Sequence, residues 1–182
     1  MNLVVALKSR RSQPRLCSPA PDDETLLELI RAAAHGPDHG RLRPWRFVVL
    51  RDAARERLGD MLAEGSAEPD KERQKVQRAP LLLGIVFSPE PDHKIPRWEQ
   101  LAATVCVSYG VSLALHSEGW ASIWRTGARL SDPRVRDFLE LASAEELLGW
   151  LYIGMPMQAA PPARRVDPDL SGKVYFKDAV SI

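Results

Sequence analysis

The chain has 182 residues, with 25 Lys and Arg against 24 Asp and Glu and a formal charge of +1. This length buries one core of ordinary size, and the balanced charge excludes a global field that draws nucleic acid or anionic lipid, so any basic site is local. Two cysteines, Cys17 and Cys106, give neither a disulfide framework nor zinc-finger spacing, which fits a reducing compartment.

The N-terminal MNLVVALKSRR carries its charge after the apolar patch rather than before it, unlike a secretory signal, and cytoplasm is the expected location. Leu3, Val4 and Leu7 recur at helical spacing and predict a short helix over 2–9. Asp22 and Asp23 open a second helix with Leu26, Leu27, Leu29, Ile30 and Ala33 on its apolar face, and Gly36-Pro37 stops it. WRFVVL, 45–50, reads as a strand, and Asp52 is expected to cap the charged helix after it. The polar stretch 64–78 is expected to be partly helical, on the surface. LLLGIVF, 81–87, is a second strand, apolar enough to be covered on both faces.

From Arg97 to about Glu118 a long helix is expected, with Ala102, Cys106, Gly110 and Ala114 in a row of small side chains. Such a row is either the hub of the core or a seam between two copies. Leu101 to Ser117 is uncharged apart from its histidine but too short and polar for a comfortable membrane span. ASIWRTG, 121–127, reads as a strand running into a loop; Asp132-Pro133 starts a helix; LLGWLYIGMP, 147–156, is a final buried strand. The proline-bearing end, 158–182, has little periodicity. Strands separated by long helices without a βαβ rhythm predict one domain built on a mixed sheet packed between helices.

The chain has no G-x-G-x-x-G, no P-loop, no G-x-S-x-G and no H-E-x-x-H, which argues against a Rossmann-type NAD site. His35 and His39 have the i,i+4 spacing of a zinc pair, but Gly36 and Pro37 break the helix that would present them, so no metal is assigned. Two arginine-bearing stretches remain, SRRSQPR (9–15) and WRTGAR (124–129). Guanidinium forks match phosphate oxygens, and a plain alternative is that Lys8, Arg10 and Arg11 complement a helix C-terminus while Arg125 sits beside a turn. Composition and spacing stop at a mixed α/β domain whose two arginine stretches are either a local anion site or plain helix-end and surface charge.

Taken together, SRRSQPR (9–15), HGPDHGRLRPWRFVVL (35–50), HKIPRWEQ (93–100), GWASIWRTGA (119–128) and LLGWLYIGMP (147–156) resemble the FMN-dependent nitroreductase family, especially its short YdjA-like branch. The resemblance implies an α+β fold over residues 1–182, a nitroreductase-like mixed sheet flanked by helices, in an intertwined homodimer with two FMN sites built by both subunits. It places Arg10, Arg11 and Ser12 at the flavin, with Trp124, Arg125, Thr126 and Gly127 as the second contacting stretch, and His35 and His39 reaching it from the neighbouring subunit.

The chemistry implied is ping-pong: NAD(P)H delivers hydride to flavin N5 and leaves, and an electron-poor small molecule such as a nitroaromatic, quinone or enone takes its place. No side chain is assigned as catalytic, and neither nucleic acid nor membrane is an expected partner. The chain departs from the wider family where Asp38-His39-Gly40-Arg41-Leu42-Arg43-Pro44-Trp45 replaces a common Ser-x-x-Asn-x-Gln-Pro-Trp. Arg164, Arg165 and Lys173 are candidates for a C-terminal phosphate contact. Alternative roles are a reductase or dehydrogenase specialised for one metabolite, or a flavin-binding protein with little turnover.

Overall fold

A computed structural model describes residues 2–157 and 166–177. Helix α1 (Leu3–Ser9) begins where the Asn2 side chain accepts the Val4 N–H at 2.9 Å. Helix α2 (Asp23–Ala33) begins at Asp22, whose carboxylate accepts the Thr25 N–H at 2.9 Å. Both caps satisfy amide groups that a helix start leaves without partners.

The sheet is organised by its longest strand, β5 (Glu146–Pro156), which pairs antiparallel with β1 (Leu16–Cys17), β3 (Leu81–Phe87) and β4 (Ala121–Arg125). Strand β3 also pairs antiparallel with β2 (Trp45–Arg51). The parallel component among the described residues is a bridge from Ser12 to Ser122. This α+β arrangement is the expected class.

All seven β3 residues are buried, because alternate side chains enter two cores. Leu82 and Val86 join Leu58, Leu62 and Tyr152 on one side. Leu81, Leu83 and Ile85 join Leu26, Val111, Leu115 and Ile153 on the other. Helices α3 (Asp52–Ala63) and α4 (Pro69–Val76) cover the first face, and α2 and α5 (Arg97–Ser117) the second.

Asp52 does not cap α3: it is the first helical residue, with φ +36°, and the capping position is Arg51 without a side-chain bond. The β2 register continues through Arg51 opposite Leu81, so the strand uses the extended residue that a cap requires. Asp132 does cap as expected, accepting the Arg134 N–H at 3.0 Å with Pro133 opening α6 (Pro133–Phe138).

The small-residue row on α5 resolves towards the interior reading at Gly110. A Cβ there would lie 3.0 Å from Ala33 Cβ, so α2 seats against α5 within one chain. Gly110→Leu should therefore overpack this contact and cost about 1–3 kcal/mol. An unchanged thermal midpoint would place Gly110 outside the core.

Candidate functional site

Helix α1 ends at Arg10 and delivers Arg10, Arg11 and Ser12 to the outer edge of β4. Ser12 bridges to Ser122, and the Gln13 N–H donates to Ser122 O at 3.0 Å. The segment is fastened to the far end of α5, where Ser9 Oγ lies 2.7 Å from His116 Nε2 and the Arg10 guanidinium lies 6.0 Å from the Tyr109 ring centroid. Ser9 Oγ also donates to Val5 O at 2.7 Å, which leaves His116 Nε2 as donor in the second bond. Burial first, then Arg10 and Arg11, push the His116 pKa below its ordinary value, so the ring stays neutral near pH 7 beside two cations.

Strand β4 carries the second stretch and splits it between faces. Trp124 points into the core with Leu81 and Val111, and its indole N–H donates to Leu148 O at 3.3 Å. Arg125 points the other way, its guanidinium 5.5 Å from the Tyr152 ring centroid. Burial raises the Tyr152 pKa, opposed by Arg125 and Arg78.

Trp124, Arg125, Thr126 and Gly127 line a cavity of about 730 Å³, together with Trp150, Tyr152, Lys75, Arg78 and Arg129. That volume is in the range of sites for small molecules and cofactors. Glu72, the acidic residue in its wall, is already bound to Lys75 at 2.9 Å and lies 3.6 Å from Arg129.

Two observations fit this cavity to an anionic, flat cofactor such as FMN. Arg125 Nε is buried without a hydrogen-bond partner, a donor held dry for an acceptor that the chain does not supply. At Gly127 an added Cβ would meet nothing within 4 Å, so bare backbone faces open space at the cavity wall.

His35 and His39 lie elsewhere. His39 Nδ1 sits 2.7 Å from Glu99 in the first turn of α5, and His35 lines a separate cavity with Arg31, Arg41, Arg43 and Trp45. Glu99 and His116 are seventeen residues apart on one helix, or about 25 Å along its axis. His39 and Ser9 thus contact opposite ends of α5, while a Cβ added at Gly36, next to His35, would lie 3.9 Å from Cys106 in its middle. Lys173 is exposed in a turn, and Arg164 and Arg165 lie outside the described residues.

The model of the Nitroreductase family matches residues 7–155. The chain belongs to this family. Among curated relatives, "Putative NAD(P)H nitroreductase YdjA" of Escherichia coli (strain K12) is 34% identical over 97% of this chain and 100% of its own. The fold is that of a nitroreductase-like family protein from Bacillus cereus, with a TM-score of 0.85 at 20% identity, covering 98% of this chain and 97% of that one. An FMN-dependent nitroreductase from Clostridium difficile R20291 superposes with a TM-score of 0.72 at 21% identity over 97% and 99% of the two chains.

Sequence reasoning missed the basic wall formed by Lys75, Arg78 and Arg129. The stretch 64–78 reads as a polar surface helix, yet it ends directly before the fully buried β3. Cations three residues apart in front of a buried strand are the signal that points them at the sheet.

Proposed function

We propose that the chain is an FMN-dependent NAD(P)H oxidoreductase of nitroreductase type, a cytoplasmic homodimer in one domain. Each site takes Arg10, Arg11, Ser12, Trp124, Arg125, Thr126 and Gly127 from one subunit and His35 and His39 from the other. The observation that carries this reading is the buried, partnerless Arg125 Nε in a basic, aromatic cavity of a nitroreductase-family chain.

Bound FMN would supply two-electron hydride chemistry, taken from NAD(P)H and passed to a nitroaromatic, quinone or enone acceptor in alternate half-reactions. The chain's own residues bind, orient and exclude water. Arg10 and Arg11 supply positive charge at the edge of β4, and the neutral His116 holds their segment without adding a third cation. Arg125 offers a desolvated N–H, which is stronger towards an anionic acceptor than one in water. Trp150 and Tyr152 give the cavity its apolar walls, while the Trp124 ring packs into the core on the other face.

The two-subunit site is supported by the separation along α5 and by exposed apolar surface on α1 and α5. Leu3, Val4, Val5, Trp98, Val105 and Tyr109 are all exposed, with Trp98 at 69%. A patch of this kind marks an interaction surface. Arg10→Ala should lose flavin and turnover together while the dimer persists. Flavin content and sedimentation check this, and normal flavin occupancy in the variant removes Arg10 from the site.

A further inference from the structure

His116 occupies the last turn of the 21-residue α5, half-buried against the end of α1. Carbonyls at a helix C-terminus carry partial negative charge and favour a protonated imidazole. Burial, then Arg10 and Arg11, oppose them and prevail, which keeps the second proton off the ring at neutral pH. Those two guanidiniums are the charged groups that act on the ring among the described residues. On α1, Lys8 turns to Asp167 at 4.0 Å; on α5, Glu118 at the C-cap is exposed; β4 brings the uncharged Ser122 to this edge.

The Ser9 bond fixes the tautomer. Ser9 Oγ gives its proton to Val5 O, so Nε2 carries the ring's proton and Nδ1 is bare. A second proton therefore enters at Nδ1, adding a charge without breaking the bond to Ser9. The half-buried Arg10 guanidinium lies over the Tyr109 ring and has no hydrogen bond or ion pair among the described residues, so the chain leaves its charge uncompensated. An anion held there offsets the repulsion that excludes the second proton.

We propose that His116 is a positioning residue that couples flavin retention to pH, taking up a proton at Nδ1 when the anionic cofactor settles on Arg10 and Arg11. This rests on the oxidoreductase reading above and on those two arginines as flavin contacts. The coupling is reciprocal: an anion that draws the proton on is itself held more tightly by it. The ring's pKa is higher with flavin than without. The added affinity is therefore absent well above 6.5, grows as pH falls through the flavin-bound value, and is complete below that of the flavin-free protein.

The test compares the parent with His116→Gln, whose amide can donate the same bond to Ser9 but takes up no proton. The ratio of the variant's Kd for FMN to the parent's, read by flavin fluorescence, should rise by about threefold to tenfold between about pH 8 and about pH 5.5. Comparing the two proteins at each pH cancels the titration of the FMN phosphate itself. A ratio that stays constant, or falls on acidification, overturns the proposal. By NMR, the His116 ring resonance, assigned by its absence in the variant, should titrate at higher pH in FMN-loaded than in flavin-free parent, and equal midpoints contradict the coupling.

Near pH 8, where the Ser9 bond acts alone, His116→Ala should weaken FMN binding by about threefold to tenfold and His116→Gln should restore it. Parent-like binding by His116→Ala removes the positioning role. If FMN is retained and reduced without this pH signature, the inference alone fails. If no flavin is retained at any pH, the reading beneath it fails and takes the inference with it.

Discussion

A mixture of two flavin-free variants, Arg10→Ala and the double variant His35→Ala/His39→Ala, should regain about a quarter of the parent's flavin sites when co-refolded, because a two-fold interface pairs each site from two chains. Arg10 is fastened at the Tyr109 and His116 end of α5, and His39 at Glu99 in its first turn. Along α5, Glu99 lies about 15 Å from Tyr109, which the Arg10 guanidinium approaches, and about 25 Å from His116, which Ser9 contacts. In the mixed dimer, one site combines an intact Arg10 with intact histidines from the other chain, while the second site carries every substitution. Random assortment makes half of the dimers mixed, and each restores one site of two. Flavin absorbance after removal of unbound FMN reads the outcome. No recovery in a mixture shown to contain mixed dimers would place the site within one chain and remove the histidines from it.

The largest expected effect on stability comes from Glu145. Its carboxylate receives Arg46 in a two-pronged bond, Nε to Oε1 and Nη2 to Oε2, both at 2.7 Å, and Oε2 also accepts the Ala142 N–H at 3.0 Å. The same Arg46 donates to Leu139 O and Glu140 O, so β2 is tied to the turn between α6 and β5. The Arg46 bond pulls the Glu145 pKa down from 4.5 to about 2, against a burial penalty that raises it, and the Arg46 pKa rises in return.

A depressed carboxylate pKa contributes stability that is fully present above the unfolded value and lost as pH falls through the folded one. Here the contribution is about 3 kcal/mol at neutral pH, lost between 4.5 and about 2. Glu145→Gln should lower unfolding free energy by about that amount at pH 7, leaving Arg46 without its counter-charge. The gap between parent and variant should close as pH falls through that window. A gap independent of pH would assign the loss to packing instead of charge.

The sequence carried the elements well because their signals are local. Asp22 and Asp132 act as the caps they appear to be, and seven apolar residues in a row at 81–87 form the strand covered on both faces. Asp52 failed as a cap because the competing signal is non-local: pairing of Arg51 with Leu81 extends the strand to the helix start. Gly110 could be read two ways since a small side chain records close approach without naming the neighbour, and the neighbour is Ala33.

The site followed the same division. Arg10, Arg11 and Ser12 stand together in sequence and remain together in space, and so do Trp124 to Gly127. That Trp124 and Arg125 face opposite sides of the sheet follows from the strand's period of two. The convergence of Lys75, Arg78 and Arg129 on Arg125 depends on how α4 and the turn after β4 fold over one face. No spacing in the chain encodes that meeting, nor the left-handed backbone that presents Arg41 and Arg43.

The most direct test of the account is to load the purified protein with FMN under anaerobic conditions, remove unbound flavin, and follow the visible flavin band as NADPH is added. The account predicts a band that stays with the protein and bleaches. A retained band that stays oxidised with NADPH and with NADH would make the chain a flavin-binding protein without this turnover. No retained band would contradict the cofactor site at Arg10–Ser12 and Trp124–Gly127 altogether.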